Sequence, residues 1–376
     1  MELAKTGSTA RADERARPPL DFGPLKPLLD DPGVTEIMIN GAHRIFVERN
    51  GRKTRTDLEF PNEGALRACV ERIFAAHGKR IGADTPYADV CLADGTRVNA
   101  ILAPIARFGL AVTLRKFAQT IHTLQDLIRL GSLSEHVAQL LVACVKGKVN
   151  ILFSGGTSTG KTTLLQILSD HFDPQERVIT IEDAAELRLG QDNVISLETR
   201  VADENGRGEV TLRHLLRNAL RMAPDRLVIG EVRGAEAIDM VQAMATGHTG
   251  TLAVIHGSSP DEALMRLETM ILMSGLMLPL SEVRRMIAST VQLIVHMERT
   301  PHGRQVTAIS ELRSVSPDDG KIVLNDLFVR SRDGLRLEPV MHYYPHFHQR
   351  LKDQGLLGTD VLQAGADVPG GVAPAR

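Results

Sequence analysis

The sequence predicts an α/β fold: a smaller α+β domain followed by a larger domain built on a parallel sheet. Three observations carry this. From Ser134 onward, helix-period segments alternate with short apolar runs, the pattern of strand–helix units. Those runs, such as 149–153 and 227–229, are continuously apolar, which suits parallel strands covered on both faces. Before Ser134, short strands gather around one long helix without that alternation. A chain of 376 residues has room for two or three domains at ~150 residues each.

The elements follow in order. Residues 1–18 are polar and charged, with no apolar stretch, and read as a disordered leader. The domain expected over 19–118 opens with a short helix at 24–31 and strands at 36–40 and 44–49. Asn50 and Gly51 are a hairpin signal leading into 53–58. The segment 62–77 carries Leu66, Cys69, Val70, Ile73 and Phe74 at helical spacing, with Asn62 as N-cap. Strands at 96–102 and 110–117 complete the domain, and 119–133 reads as a linker. In the larger domain, 134–340, helices are expected at 134–146, from Lys161, at 211–222 and at 235–245. Strands are expected at 149–153, 177–181, 227–229 and 251–255. Helices continue to about Ser289, and strand-like runs follow at 292–297, 305–309 and 322–329. The tail 341–376 is Gly/Pro/Ala-rich at its end.

Composition narrows the function classes. Lys and Arg total 44 against 46 Asp and Glu, a formal charge of −2, so bulk charge gives no attraction to nucleic acid or anionic lipid. Aromatics are 3% with no Trp, so base-stacking platforms are scarce. The cysteines Cys69, Cys91 and Cys144 are far apart, which excludes a four-cysteine zinc site and disfavours a disulfide framework. The longest apolar run, 270–280, is interrupted by Ser274 and Gly275. It is shorter than the ~20 residues a bilayer span needs and reads as a buried helix end and loop.

The strongest motif is Gly155-Gly156-Thr157-Ser158-Thr159-Gly160-Lys161-Thr162, which matches GxxxxGK[ST] at every fixed position. It follows a strand and opens a helix whose next residue is Thr163. Glycines let backbone N–H groups turn inward around phosphates, and the helix points its positive end at the same anion. Lys161 is expected to reach the β- and γ-phosphates, and the Thr162 hydroxyl to ligate Mg²⁺. ATP and Mg²⁺ are the cofactors this implies. A hydrolase also needs a group that orients the attacking water. The strand 226–231 ends in Glu231 after an apolar run, and 179–183 ends in Glu182 and Asp183, with Glu186 beyond. Glu231 reads as the water-activating carboxylate and Glu182 as a partner in holding magnesium. His256 ends the strand 251–255 after a Gly-rich turn containing His248, where it could sense a γ-phosphate by hydrogen bonding. His342, His346 and His348 cluster late in the chain and read as a polar face rather than a metal site.

These motifs stand in a fixed order: the loop 155–162, Ile181-Glu182-Asp183-Ala184-Ala185-Glu186-Leu187, Leu227-Val228-Ile229-Gly230-Glu231-Val232-Arg233-Gly234, and Thr246-Gly247-His248-Thr249-Gly250 with His256. The set resembles the secretion ATPase superfamily of type II and type IV secretion and type IV pilus motors. Within it, the segments 31–40, 94–100, 114–117 and 216–222 resemble the CpaF/TadA branch, the Tad (Flp) pilus assembly ATPases. The likeness spans about 21–329. It departs at Gly257-Ser258-Ser259, where CpaF relatives carry an Ala-Asn-like sequence, and the tetracysteine element of extension ATPases is missing.

The resemblance implies a RecA-like ATPase domain behind a PAS-like N-terminal domain, assembled as a hexamer. It implies arginines that clamp the phosphates, at Arg97 and Arg115, with Arg217, Arg221 and Arg233 as weaker candidates. It also implies a cytoplasmic motor, peripheral to the inner membrane, working on membrane platform proteins rather than nucleic acid. The alternatives are a conjugation or type IV secretion ATPase of the VirB/TrbB kind, a nucleic-acid translocase, and a nucleotide-gated scaffold.

Overall fold

In the computed structural model, residues 20–49, 52–92, 94–116, 121–203, 206–331, 333–334, 336–340 and 344–358 are described. The expected leader, the Asn50-Gly51 turn, Phe117, His342 and the tail beyond 358 lie outside them. The chain divides into two units, Met1–Thr120 and Ile121–Arg376.

The first unit begins with α1 (Lys26–Asp30), then β1 (Val34–Asn40), β2 (Ile45–Arg49) and β3 (Arg52–Arg55). Helix α2 (Glu63–Ala76) follows, then β4 (Tyr87–Cys91), β5 (Arg97–Ile101) and β6 (Ala111–Arg115). The six strands form one antiparallel sheet in the order β3-β2-β1-β6-β5-β4. Asn62 caps α2 as its sequence predicts, its side chain accepting from the Ala65 amide. Strand alternation buries Ile37 and Ile39, Val98 and Ala100, and Val112 and Leu114 in the same core as Leu66, Val70 and Ile73 of α2. Glu36, Arg97 and Arg115 consequently share the opposite face.

The second unit opens with α3 (Leu124–Arg129), α4 (Glu135–Lys146), β7 (Ile151–Gly155), α5 (Lys161–Ser169), β8 (Val178–Glu182) and β9 (Val194–Glu198). It continues with α6 (Leu212–Ala219), β10 (Arg226–Val232), α7 (Glu236–Ala245), β11 (Leu252–His256), α8 (Pro260–Leu272) and α9 (Leu280–Thr290). It ends with β12 (Leu293–Thr300), β13 (Gly303–Val315), β14 (Ile322–Arg330), β15 (Leu337–Pro339) and α10 (His348–Asp353). One nine-stranded sheet runs β15-β14-β13-β12-β7-β11-β10-β8-β9. The stretch from β12 to β9 is parallel, while β13, β14 and β15 add on antiparallel. The sheet is therefore mixed rather than purely parallel. Successive strand residues alternate between two cores: Ile151, Phe153 and Val254 pack with α4 and α5, and Leu152, Ala253 and Ile255 pack with α6 to α9. This is a sheet covered by helices on both faces.

Three expectations need correction. The segment 119–133, read as linker, contains α3: Thr123 and Asp126 form a reciprocal capping box, and Leu127 joins the core. The segment 341–376, read as tail, contains α10, whose Leu351 is fully buried. Gly147, at the end of α4, makes room for it: a Cβ there would lie 2.0 Å from Leu351 Cδ2. The run 270–280 is not a buried helix end. Ile271 is buried, but α8 stops at Leu272, and Leu272, Met273, Leu276 and Met277 are exposed.

Charge is buried at the start of β10. The Arg226 side chain is 1% exposed and bonds Glu176 through Nε at 2.7 Å and Nη2 at 3.0 Å. It also donates to the Gly250 carbonyl and lies 4.2 Å over the Phe172 ring. Arg226→Leu leaves Glu176 with Lys148 as its remaining ion-pair partner at 3.1 Å. It is expected to cost about 3 kcal/mol, read as a lower urea midpoint, because the buried carboxylate loses the bidentate partner that compensated most of its charge. Arg226→Leu combined with Glu176→Leu is expected to recover most of the loss.

Candidate functional site

The loop between β7 and α5 turns on two glycines, Gly155 and Gly160. Gly155 has φ 149°, and a Cβ on it would lie 2.2 Å from the Met297 carbonyl oxygen and 2.8 Å from Thr159 Oγ1. Gly160 has φ 101° and stands as N-cap of α5 with no side-chain cap. The first-turn amides of Lys161, Thr162 and Thr163 therefore keep their anion-binding capacity. Lys161 is buried, its Nζ donating to the carbonyls of Gly155 at 2.9 Å and Gly156 at 2.6 Å. Thr159 Oγ1 donates to the Gly156 carbonyl, while Ser158 takes φ 59° at the turn of the loop. Thr157 and Thr162 complete the loop sequence.

Glu231 is brought to this loop by an irregularity in β10. Ile229 pairs with Ala253 and Val232 with Ile255, so Gly230 and Glu231 stand opposite Val254 alone. Such a bulge re-aims a side chain. Glu231 Oε1 lies 3.4 Å from His256 Nε2. His256 pairs in register with Gly155. Burial, reinforced by Lys161 and Arg266, lowers the imidazole pKa below its usual range, against the opposing pull of Glu231. Lys161, Glu231 and His256 thus meet at the ends of β7, β10 and β11.

Glu182 ends β8 and is buried. Its oxygens accept from the amides of Glu186 at 3.1 Å and Leu187 at 3.1 and 3.3 Å. A Cβ on Gly230 would lie 2.8 Å from Glu182 Cγ, so the bulge beneath Glu231 rests directly on Glu182. Its neighbour Asp183 is paired with Arg233 at 2.6 Å. Arg217 is paired with Asp239, which also holds Arg213. Arg97 and Arg115 belong to the other unit, where they pair directly across β5 and β6. Like charges so placed repel, and Glu36 stands on the far side of Arg115.

His248 is not part of this cluster; its amide and Nδ1 approach the Ala243 carbonyl at the end of α7. His346 is held by Glu311 at 2.9 Å, and His348 stacks 4.4 Å from Tyr344. Sequence reasoning missed His296 and Arg304. A polar residue inside an apolar strand was the available signal for His296. Arg304 sits where a Cβ on Gly160 would approach its Cδ to 3.8 Å.

Among the described residues, no group of three or more His, Cys, Asp or Glu could hold a metal by itself. The donors near the loop, the Thr162 hydroxyl and the Glu231 carboxylate, are hard oxygens of the kind Mg²⁺ takes, with phosphate oxygens filling the remaining positions. The residues present fit the ion.

Comparison with known proteins agrees with this architecture. A family model described as Type II/IV secretion system protein matches residues 19–326. The type IV secretion system protein PtlH of Bordetella pertussis is 33% identical over 318 residues, covering 77% of this chain and 93% of its own. The conjugal transfer protein TrbB of Rhizobium radiobacter is 31% identical over 290 residues, covering 75% and 84%. The crystal structure of the ATPase DotB of Yersinia pseudotuberculosis shares the fold, with TM-score 0.54 and 16% identity over 92% of this chain and 86% of that one. These relatives carry names from conjugal transfer and type IV secretion rather than from Tad pili. With a match that takes in most of both units, the chain belongs to the Type II/IV secretion system protein family.

Proposed function

We propose that this chain is a Mg²⁺-dependent ATPase motor serving conjugative transfer or type IV secretion. The observation that carries the reading is the convergence of Lys161, Glu231 and His256 on one glycine-rich loop. In this account Lys161 exchanges the Gly155 and Gly156 carbonyls for phosphate oxygens when ATP enters, while the loop amides from Gly155 to Thr163 cradle the phosphates. Thr162 would hold Mg²⁺, with Glu231 ordering water beside the ion. Bound there, the ion would neutralise charge developing on the β- and γ-phosphates. Glu231 orients the attacking water and accepts its proton at a carboxylate oxygen. His256 donates its one N–H to the γ-phosphate, beside Glu231. Glu182 positions Glu231 through Gly230 and would reach the ion through water.

In the proposed ring, Arg97 and Arg115 are the arginines whose guanidiniums would neutralise charge on the γ-phosphate. The ring is a homo-hexamer of RecA-like domains with PAS-like domains ahead of them, docked on platform proteins at the inner membrane. Among the described residues, no helix is long and apolar enough to cross a membrane.

The Tad-pilus reading rests on the segments 31–40 and 94–100. Deletion of this chain in its host separates the two: loss of DNA or effector transfer supports the proposal, and loss of surface pili with transfer intact favours the Tad branch. The activity itself is tested by Mg²⁺-dependent phosphate release against protein concentration, with and without DNA. The expected result is a specific activity that rises with concentration and ignores DNA. Strong stimulation by DNA would move the reading to a nucleic-acid translocase.

A further inference from the structure

His296 lies on β12, on the other side of β7 from His256. It is 2% exposed, and its Nδ1 is 2.8 Å from Oγ of Ser154, which is fully buried. The register pairs His296 with Ser154 and Met297 with Gly155, while β11 pairs His256 with Gly155. The last two residues of the loop-bearing strand are therefore flanked by a histidine on each side. The other nitrogen of His296, Nε2, is buried 3.5 Å from Glu298 Oε1, and the backbone of Ser258, two residues beyond His256, acts on the same imidazole.

The chemistry fixes the direction of the contacts. Burial, with Lys161 adding to it, pushes the imidazole pKa below its usual range, against the opposing pull of Glu298 and the Ser258 backbone. A neutral imidazole has one donor and one acceptor nitrogen. With Nε2–H on the side of the Glu298 carboxylate, Nδ1 accepts from the Ser154 hydroxyl. Ser154 is joined to Gly155, whose carbonyl takes Lys161 Nζ at 2.9 Å and the Gly257 amide at 3.4 Å.

We propose that His296 is a positioning residue for the phosphate loop, holding Ser154 and thereby the Gly155 carbonyl, and joining the loop to the segment that follows His256. It touches neither ATP nor the attacking water. The proposal rests on the nucleotide-hydrolysis reading above. A buried histidine with only a packing role would affect stability alone, whereas this one sets how the loop presents Lys161 and Gly155 to phosphate.

The test uses the full chain with His296→Leu, His296→Asn and Ser154→Ala. Binding of a fluorescent ATP analogue, KM, kcat and melting temperature are measured for each. His296→Leu is expected to weaken nucleotide binding and raise KM about tenfold, as loss of one buried hydrogen bond implies, with kcat within about twofold. The Asn side chain places its amide near the Nδ1 position, so His296→Asn is expected to recover most of that affinity. Ser154→Ala is expected to match His296→Leu, and the double variant to lose no more than either alone. If His296→Leu does not fold, Ser154→Ala and His296→Asn carry the test. Unchanged KM with a lower melting temperature, additive losses, or equal behaviour of the Asn and Leu variants would overturn the proposal. A wild-type chain that fails to bind or hydrolyse MgATP would instead overturn the reading beneath it.

Discussion

Glu231→Gln is expected to bind MgATP with near wild-type affinity and to hydrolyse it about 10²–10³-fold more slowly, in the range a positioned general base contributes. The substitution keeps size and hydrogen-bonding capacity but removes the charge and the proton acceptor. The geometry makes the effect local. Glu231 is half-buried on a bulge, 3.4 Å from His256, and it is not part of the loop that holds the phosphates. Equilibrium binding and single-turnover phosphate release separate the two steps. Turnover close to wild type would remove Glu231 from the chemistry and redirect attention to Glu182.

Lys161→Ala is expected to lose binding and turnover together. The ammonium group is buried and satisfied by two loop carbonyls, and in the proposed complex it forms charge-assisted bonds to phosphate. Such bonds contribute about 1.5–3 kcal/mol each, so two of them correspond to an affinity loss of about 10²–10⁴-fold. The fold is expected to survive, since the remaining anchors of the loop are backbone contacts and Thr159. Retained ATP affinity in a folded variant would argue against the phosphate-cradle reading.

Much of this site was legible in the sequence because its requirements are local. Gly155 and Gly160 take positive φ that residues with a side chain rarely adopt, and Lys161 opens α5 where the motif places it. The N-cap at Asn62 and the apolar spacing of α2 were equally local. The features that escaped are set by distant partners. The bulge at Gly230 and Glu231 exists because β10 must pair with both β8 and β11 while clearing Glu182. Helix α10 is short and polar except for Leu351, so its burial depends on the space left by Gly147. Strand β9 is half-exposed at the sheet edge and carries a weak apolar signal. The antiparallel extension was read as short runs because β12 and β13 end in charged residues such as Glu298, Arg299 and Arg304. Arg226 and Glu176 are 50 residues apart in the chain, and nothing local marks either as buried.

One paired measurement separates ATP binding by Lys161 from hydrolysis by Glu231. Equilibrium MgATP binding and Mg²⁺-dependent phosphate release are recorded on the same preparations of wild type, Glu231→Gln and Lys161→Ala. The account predicts binding and release for wild type, binding without release for Glu231→Gln, and neither for Lys161→Ala. Release by Glu231→Gln at the wild-type rate, or binding by Lys161→Ala at wild-type affinity, would contradict it.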